Sequence, residues 1–523
     1  MLTLMLLAAT QQVPLYDNLG SHTHPISSRV PQVQQYFDQG LRLTYGFNHG
    51  EAIRAFREAA RRDSTCAICW WGVANAYGPN INMPMDSASG TAAWDALQQA
   101  VRLKPYATPA ERAYIDALAT RYGENPVADR AARDSAYASA MRALARRYPR
   151  DQDAATLAAE AMMDLRPWNY WSADGTAYPG VSTIVATLEA VLRANPRHPG
   201  ACHFYIHAVE ASPRPERALP CARQLASLIP GAGHIVHMPA HVFIRLGMYE
   251  EAEQANIHAA HTDERYIADA RPDGVYAMAY YPHNLHFLWA AAAFQGRRTD
   301  AEEALDRLSR AAPVEMMRQV PAFELFALPQ LYHHVWFGNW EAILRTPRPP
   351  AEMLTTTALW FYARGRAHAA LGHAAPARTE LDSLRALRSS AATRLPAGMT
   401  LGFAPPATIM DIAIALLDGQ IAAKERRFDD AITRTREAVT LADGLTYNEP
   451  ADWYYSPRLD LGSLLMDAGR AADAEAVYRD ELRINRNSGW ALRGLVRSLE
   501  AQNKDAAAAR TQLARAWARS DLR

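Results

Sequence analysis

Residues 36–59, YFDQGLRLTYGFNHGEAIRAFREA, decide the fold. Tyr36, Gly40, Ala52, Phe56 and Ala59 stand where two antiparallel helices joined by a tight turn would pack. The small residues mark a close helix crossing and the aromatics fill the gap to the next pair. Gly72 follows 32 residues beyond Gly40. Near the far end the same order returns as Leu461, Gly462, Ala474 and Tyr478, then Trp490, Gly494 and Ala506. Residues 246–252 (LGMYEEA), 296–304 and 469–474 have the same helix-turn-helix look, and no stretch sustains the two-residue alternation of a half-buried strand. One helix pair cannot bury its apolar face alone, so the recurrence predicts roughly eight to ten stacked pairs whose first helices line a concave groove.

That order of aromatic, Gly, small residue and aromatic resembles the tetratricopeptide repeat. The resemblance implies an all-α, TPR-like α-solenoid, a right-handed superhelix of helix pairs. Longer strings, Tyr-Gly-Phe-Asn-His-Gly-Glu-Ala at 45–52, Gly-Pro-Asn-Ile-Asn at 78–82, His-Pro-Gly-Ala-Cys-His-Phe-Tyr-Ile-His at 198–207 and Gly-His-Ile-Val-His-Met-Pro-Ala-His at 233–241, resemble a group of large exported bacterial tetratricopeptide proteins. This second likeness spans most of residues 19–300 and implies a fold and export, but no established reaction. Pro and Gly cluster at 346–351 (TPRPPA) and again at 395–406. The chain accordingly divides into a possible signal segment (1–12), an N-terminal arm (13–32), an array with a His-rich groove (33–345) and a C-terminal array (346–523). Two inserts, 79–84 and 168–179, are too rich in Asn, Pro, Gly and aromatics for helix and are expected to fold over a groove.

Acidic and basic side chains balance at 55 each, so no global field draws in nucleic acid or an anionic membrane. The apolar run of residues 1–9 ends in small residues and resembles the core of a secretory signal, although the first basic residue is Arg29. It points to a periplasmic or secreted protein, with the cytoplasm as the alternative. No later run approaches the ~20 apolar residues of a membrane span. Four cysteines are too few for a disulfide-built scaffold. Cys66 and Cys69 read as buried small residues or a local bridge, and antiparallel packing brings Cys202 opposite Cys221.

Ten of the 17 histidines fall between His198 and His286, where an even scatter would put about three. His203 and His207 are spaced i, i+4, with Glu210 on the next turn of the same face. His234, His237 and His241 follow i, i+3, i+7, and His283 and His286 are i, i+3. His203 to His237 and His207 to His241 are both 34 residues, the repeat length, so equivalent first helices would stack these rings side by side. His258 and His261 fall on a second helix and should face outward. Imidazole is the commonest protein metal ligand. The candidate set is therefore His203, His207, Glu210, His234, His237, His241, His283 and His286, for zinc or copper first and iron next, with Met238 beside the cluster adding weight to copper. The imidazoles exceed one tetrahedral shell, leaving open two ions, or one ion with the rest as proton shuttles and Glu210 orienting a ring or acting as base.

The pattern is not the His-Glu-x-x-His of metalloproteases, and no phosphate loop or nucleophile elbow is present. Glu160, Asp164, Trp168, Tyr170 and Trp171 read either as a carboxylate and aromatic wall of the groove or as a capped helix and core cluster. His22 and His24 read as part of an exposed arm. Two functions stay in play: an exported helical-repeat metalloprotein with oxidative or hydrolytic chemistry as its options, and a scaffold whose groove holds a protein or peptide without metal. Whether the chain is an enzyme, and its oligomeric state, are not decided by these residues.

Overall fold

A computed structural model describes residues 13–272 and 274–522. The segment 1–12, read above as a signal, lies outside the described residues. Helix makes up 70% of the chain. The only β pairing among the described residues is three isolated bridges inside loops. Among the described residues there are 26 α-helices. With the two segments of 233–245 counted as one kinked helix and the short Val314–Gln319 helix set aside, they make twelve antiparallel pairs. The sequence suggested eight to ten; the additional pairs carry too few small and aromatic residues in order to show.

The repeat rule read from Gly40, Phe56 and Gly72 is a packing device. Phe56, on the His49–Arg62 helix, is 1% exposed. A β-carbon on Gly40 would stand 2.7 Å from its ring, and one on Gly72 would stand 2.5 Å away. The ring thus wedges between its own first helix, Pro31–Tyr45, and the next, Ala67–Ala76. Tyr478 does the same between Gly462 and Gly494. Helix starts are written locally. Asn48 and Asp151 cap with side-chain oxygens, and Thr108 and Glu111 form a reciprocal capping box. Proline opens the Pro199–Val209, Pro239–Arg245 and Pro406–Lys424 helices, where its missing N–H costs nothing.

The stack also closes on itself. Trp490 donates its indole N–H to the Ala293 carbonyl at 2.9 Å, and Asn487 reaches the Gly247 carbonyl at 3.3 Å. Asp521 accepts the Arg298 and Thr299 N–H groups, each at 2.9 Å. The last helices therefore dock on the middle of the array, and the groove expected from the sequence is roofed rather than open. Both cysteine pairs are bridged, Cys66–Cys69 and Cys202–Cys221, with Cα separations of 5.4 and 5.1 Å. One helix, Pro406–Lys424, has the length and composition of a membrane span, which the sequence reading passed over. Its apolar residues, among them Ile409, Ile412, Leu416 and Leu417, are buried in the core.

Candidate metal centre

Three neighbouring first helices deliver the histidines: Pro199–Val209, the kinked 233–245 segment and Tyr281–Phe294. Their rings form two triads, His203 with His207 and His234, and His237 with His241 and His283. Within each triad the donor nitrogens lie within 4.8 Å of one another. The 34-residue spacing places His207 beside His241, ring centroids 5.4 Å apart. The expected pairing of His203 with His237 does not form. Pro239 kinks the helix between His237 and His241, so His203 meets His234 at 5.0 Å and His237 meets His283 at 4.7 Å.

Each triad is held from behind. His203 donates Nδ1–H to the Tyr45 carbonyl at 2.6 Å, and His237 Nδ1 faces Asn256 Oδ1 at 2.6 Å. Glu210 joins the triads, taking His207 Nδ1 on Oε1 at 2.9 Å and His241 Nδ1 on Oε2 at 2.5 Å. These acceptors put the ring protons on Nδ1 and leave Nε2 as the lone-pair nitrogen. The Nε2 atoms then face one another or nothing. His237 Nε2 lies 2.8 Å from His241 Nε2 and 3.1 Å from His283 Nε2. His203 Nε2, His207 Nε2 and both nitrogens of His234 are buried without a partner.

Burial, and then the neighbouring imidazoles, hold His203, His234, His237 and His283 well below the usual imidazole range. Burial lowers His207 as well, with Glu210 opposing. Burial pushes the Glu210 carboxyl up, but His241 and His207 override it and hold it at about 2. At neutral pH His203, His207, His234, His237 and His283 are thus neutral donors beside the ionised Glu210 carboxylate.

Phe47, unremarked in the sequence, packs its ring 4.6 Å from His203 and 5.4 Å from His234. Tyr280 closes the same side at 4.8 Å from His234. Over the other face both inserts meet, as expected. Trp168, in the left-handed region at φ 62°, lies 5.0 Å from His207 and gives its indole N–H to Asn82 Oδ1 at 3.0 Å. Phe403, from the C-terminal half, packs tilted against Trp168 at 5.4 Å. Asp164 turns away to Arg121, which also donates to the Pro79 carbonyl at 3.2 Å and so ties the first insert to the end of the Gln152–Met163 helix. Of the proposed wall, Trp168 alone faces the cluster; Trp171 braces its loop on the Ala208 carbonyl.

His286, placed in the ligand set by its spacing, is not brought in. Its ring packs on Tyr454 at 4.9 Å and Trp289 at 6.1 Å, because the loop before residue 457 fills the space it occupies, and neither nitrogen has a partner. Burial alone pushes it down to about 3. Its folded pKa lies below the unfolded value of ~6.5, so below that pH the unfolded chain takes up a proton that the native chain refuses. Unfolding titrations should therefore show His286→Leu more stable than the parent. The gap should widen by about 1.4 kcal/mol for each pH unit lowered between 6.5 and 5. A gap independent of pH would rule this out.

His258 and His261 are exposed on the Tyr249–Ala270 helix, as their position required. His22 and His24 are not free on an exposed arm but half-buried against the helices. His22 Nε2 and His24 Nδ1 each lie 2.9 Å from an Asp153 oxygen, because Asp38 and Arg42 draw the arm onto the Pro31–Tyr45 helix.

No family model matches the chain, and no curated protein matches it. Among solved structures, human IFIT1 in a dimer with m7Gppp-AAAA is similar over 86% of this chain and 89% of its own at 13% identity and a TM-score of 0.34. Cut9 in the APC/C Cut9–Hcn1 hetero-tetramer is similar over 92% and 76% at 12% identity and 0.34. Yeast Tom70 is similar over 91% and 90% at 9% identity and 0.31. Likeness of this order says nothing of function, and the fold rests on the packing of the helices themselves. By its stacked helix pairs among the described residues, and the Gly–aromatic–Gly wedges at Phe56 and Tyr478, the chain folds as an all-α, TPR-like solenoid.

Proposed function

We propose that this protein is a metalloprotein that buries two transition-metal ions, one on His203, His207 and His234, and one on His237, His241 and His283. The observation that carries the reading is the contact of His237 Nε2 with His241 Nε2 at 2.8 Å while both Nδ1 atoms are committed to acceptors. Around it His203 Nε2, His207 Nε2 and both His234 nitrogens are buried without a partner, which is costly, and a bound cation in each triad would satisfy them. Three imidazoles per ion leave further coordination positions, the pattern of a centre that binds or activates a small molecule rather than a purely structural one. All-nitrogen donors favour zinc or copper, with iron next. Glu210, orienting one ring of each triad, couples the two.

The stacked pairs also present the extended surface that such arrays use to hold proteins or peptides. The histidines themselves are out of a peptide's reach, since His203, His207, His234, His237 and His241 are at most 2% exposed. Export belongs to the same proposal: bridging of all four cysteines fits an oxidising compartment. Elemental analysis of protein purified without a His tag tests the metal reading. About two ions per chain are expected after chelator-free purification, and a protein that is folded, metal-free and unable to take up zinc or copper would refute it.

A further inference from the structure

We propose that the cavity walled by Phe47, Tyr276 and Tyr280 is a binding chamber for a neutral, hydroxyl-bearing aromatic molecule, and that it is the approach to the ion on His203, His207 and His234. The inference rests on the metal reading above and adds to it the class of molecule that reaches the centre.

The cavity holds about 540 Å³, within the ~300–1,000 Å³ of small-molecule sites. Two strings singled out in the sequence, 45–52 and 78–82, meet in its wall through residues 47–51 and through Gly78 and Asn80. One layer of side chains parts it from the triad. Phe47 lines it and packs its ring 4.6 Å from His203 and 5.4 Å from His234. Tyr280, also in the wall, lies 4.8 Å from His234. Tyr276 accepts the His234 N–H on its hydroxyl at 3.1 Å. Three wall residues thus touch the one ring of this triad that has both nitrogens unpartnered. Their backbone is unusual as well: Phe47 sits in the left-handed region at φ 56°, and Tyr276–Tyr280 is a single π-helical turn. Both geometries are rare and collect at functional sites.

The wall also selects by charge. Glu51 is neutralised by Arg54 at 3.0 Å, and burial pushes His49 down to about 4, so its ring is neutral. The remaining charges are on the exposed rim, where Asp86 caps the Ser89 N–H at 2.6 Å and Arg271 faces solvent. A charged ligand would therefore leave water for a site with no free counter-charge at depth. The polar groups of the wall are held by contacts longer than the ~2.7–3.2 Å of a settled hydrogen bond. Asn80 Nδ2 lies 3.4 Å from His49 Nδ1, the Tyr266 hydroxyl 3.3 Å from Glu51 Oε2, and the Tyr280 hydroxyl 3.4 Å from Asn82 Nδ2. Between them stand the rings of Phe47, Tyr77 and Tyr266. An aromatic body with one hydroxyl, able both to donate and to accept, meets these groups.

Phenol titrated by calorimetry into the full, untagged, cobalt-loaded chain tests this, with cobalt uptake measured first. Phenol should bind at a single site and change the visible cobalt bands. Benzoate and benzylammonium, of similar shape but charged, should bind at least about tenfold more weakly, since neither charge finds a partner at depth. Gly50→Trp is the blocking variant. Gly50 is exposed in the cavity wall and a β-carbon there would meet no atom within 4 Å, so the indole occupies open space without disturbing the helix. It should weaken phenol at least about tenfold by narrowing the entrance. A chain that loads cobalt but binds no phenol, binds benzoate as tightly, or keeps its bands unchanged while phenol binds overturns this proposal and leaves the buried centre standing. So does a Gly50→Trp protein that binds phenol like the parent. A chain that takes up no cobalt overturns both.

Discussion

Protein carrying His207→Ala and His241→Ala together is expected to leave purification with no metal, whereas His368→Ala/His373→Ala should retain the parental content. The two replaced rings belong to different triads, so each triad drops to two imidazoles, below what a buried ion needs to offset its dehydration. Both rings also donate to Glu210, whose carboxylate is fully buried and depends on them for its charge. Leaving it unpaired costs on the order of 3–5 kcal/mol, so elemental analysis must go with circular dichroism showing that the helices persist. Glu210→Gln in the same background removes the stranded charge and restores stability without restoring metal. His368 and His373 face each other near the surface, where they contact neither triad. Equal metal in the two double variants would end the metal reading.

Phe56→Ala should lower the unfolding free energy by about 3–5 kcal/mol, the usual cost of emptying a buried aromatic site. The ring is wedged by two glycines on neighbouring helices, and the small residues that admit it cannot fill the space it vacates. Gly72→Val provides the companion measurement. In the parent it drives a side chain into the Phe56 ring and destabilises; beside Phe56→Ala it enters the void, and its penalty should shrink or change sign. Chemical denaturation of the four proteins in the cycle measures the coupling. Additive effects would mean that Phe56 does not hold the two glycines apart as described.

What could be read in advance follows from range. Gly40, Phe56 and Gly72 repeat at a fixed interval and pack against sequence neighbours, so periodicity reports them directly. The same interval joins His207 to His241. It failed for His203 and His237 because Pro239 turns the helix between His237 and His241, an effect that residue spacing alone does not register. His286 was misplaced for a different reason. Its spacing from His283 is that of a shared face, but Tyr454, distant in sequence, occupies the space beside it. Nor did anything periodic announce Phe47 and Tyr280 as the near wall of the cluster, or Asp153 as the anchor of the arm. Each of these is a single contact between residues dozens to hundreds of positions apart, and such contacts leave no repeat behind.

Trp490 on the Ala293 carbonyl and Asp521 on the Arg298 and Thr299 amides change how such an array comes apart. An open stack loses stability from its ends, repeat by repeat, and a truncated form keeps what remains. Here the last pairs are tied to the seventh, and the Tyr454 and Phe403 loops between them rest on the residues around the buried imidazoles. Shortening the chain at its carboxyl end would therefore expose the interior near its middle, and the centre and the far terminus should melt as one unit.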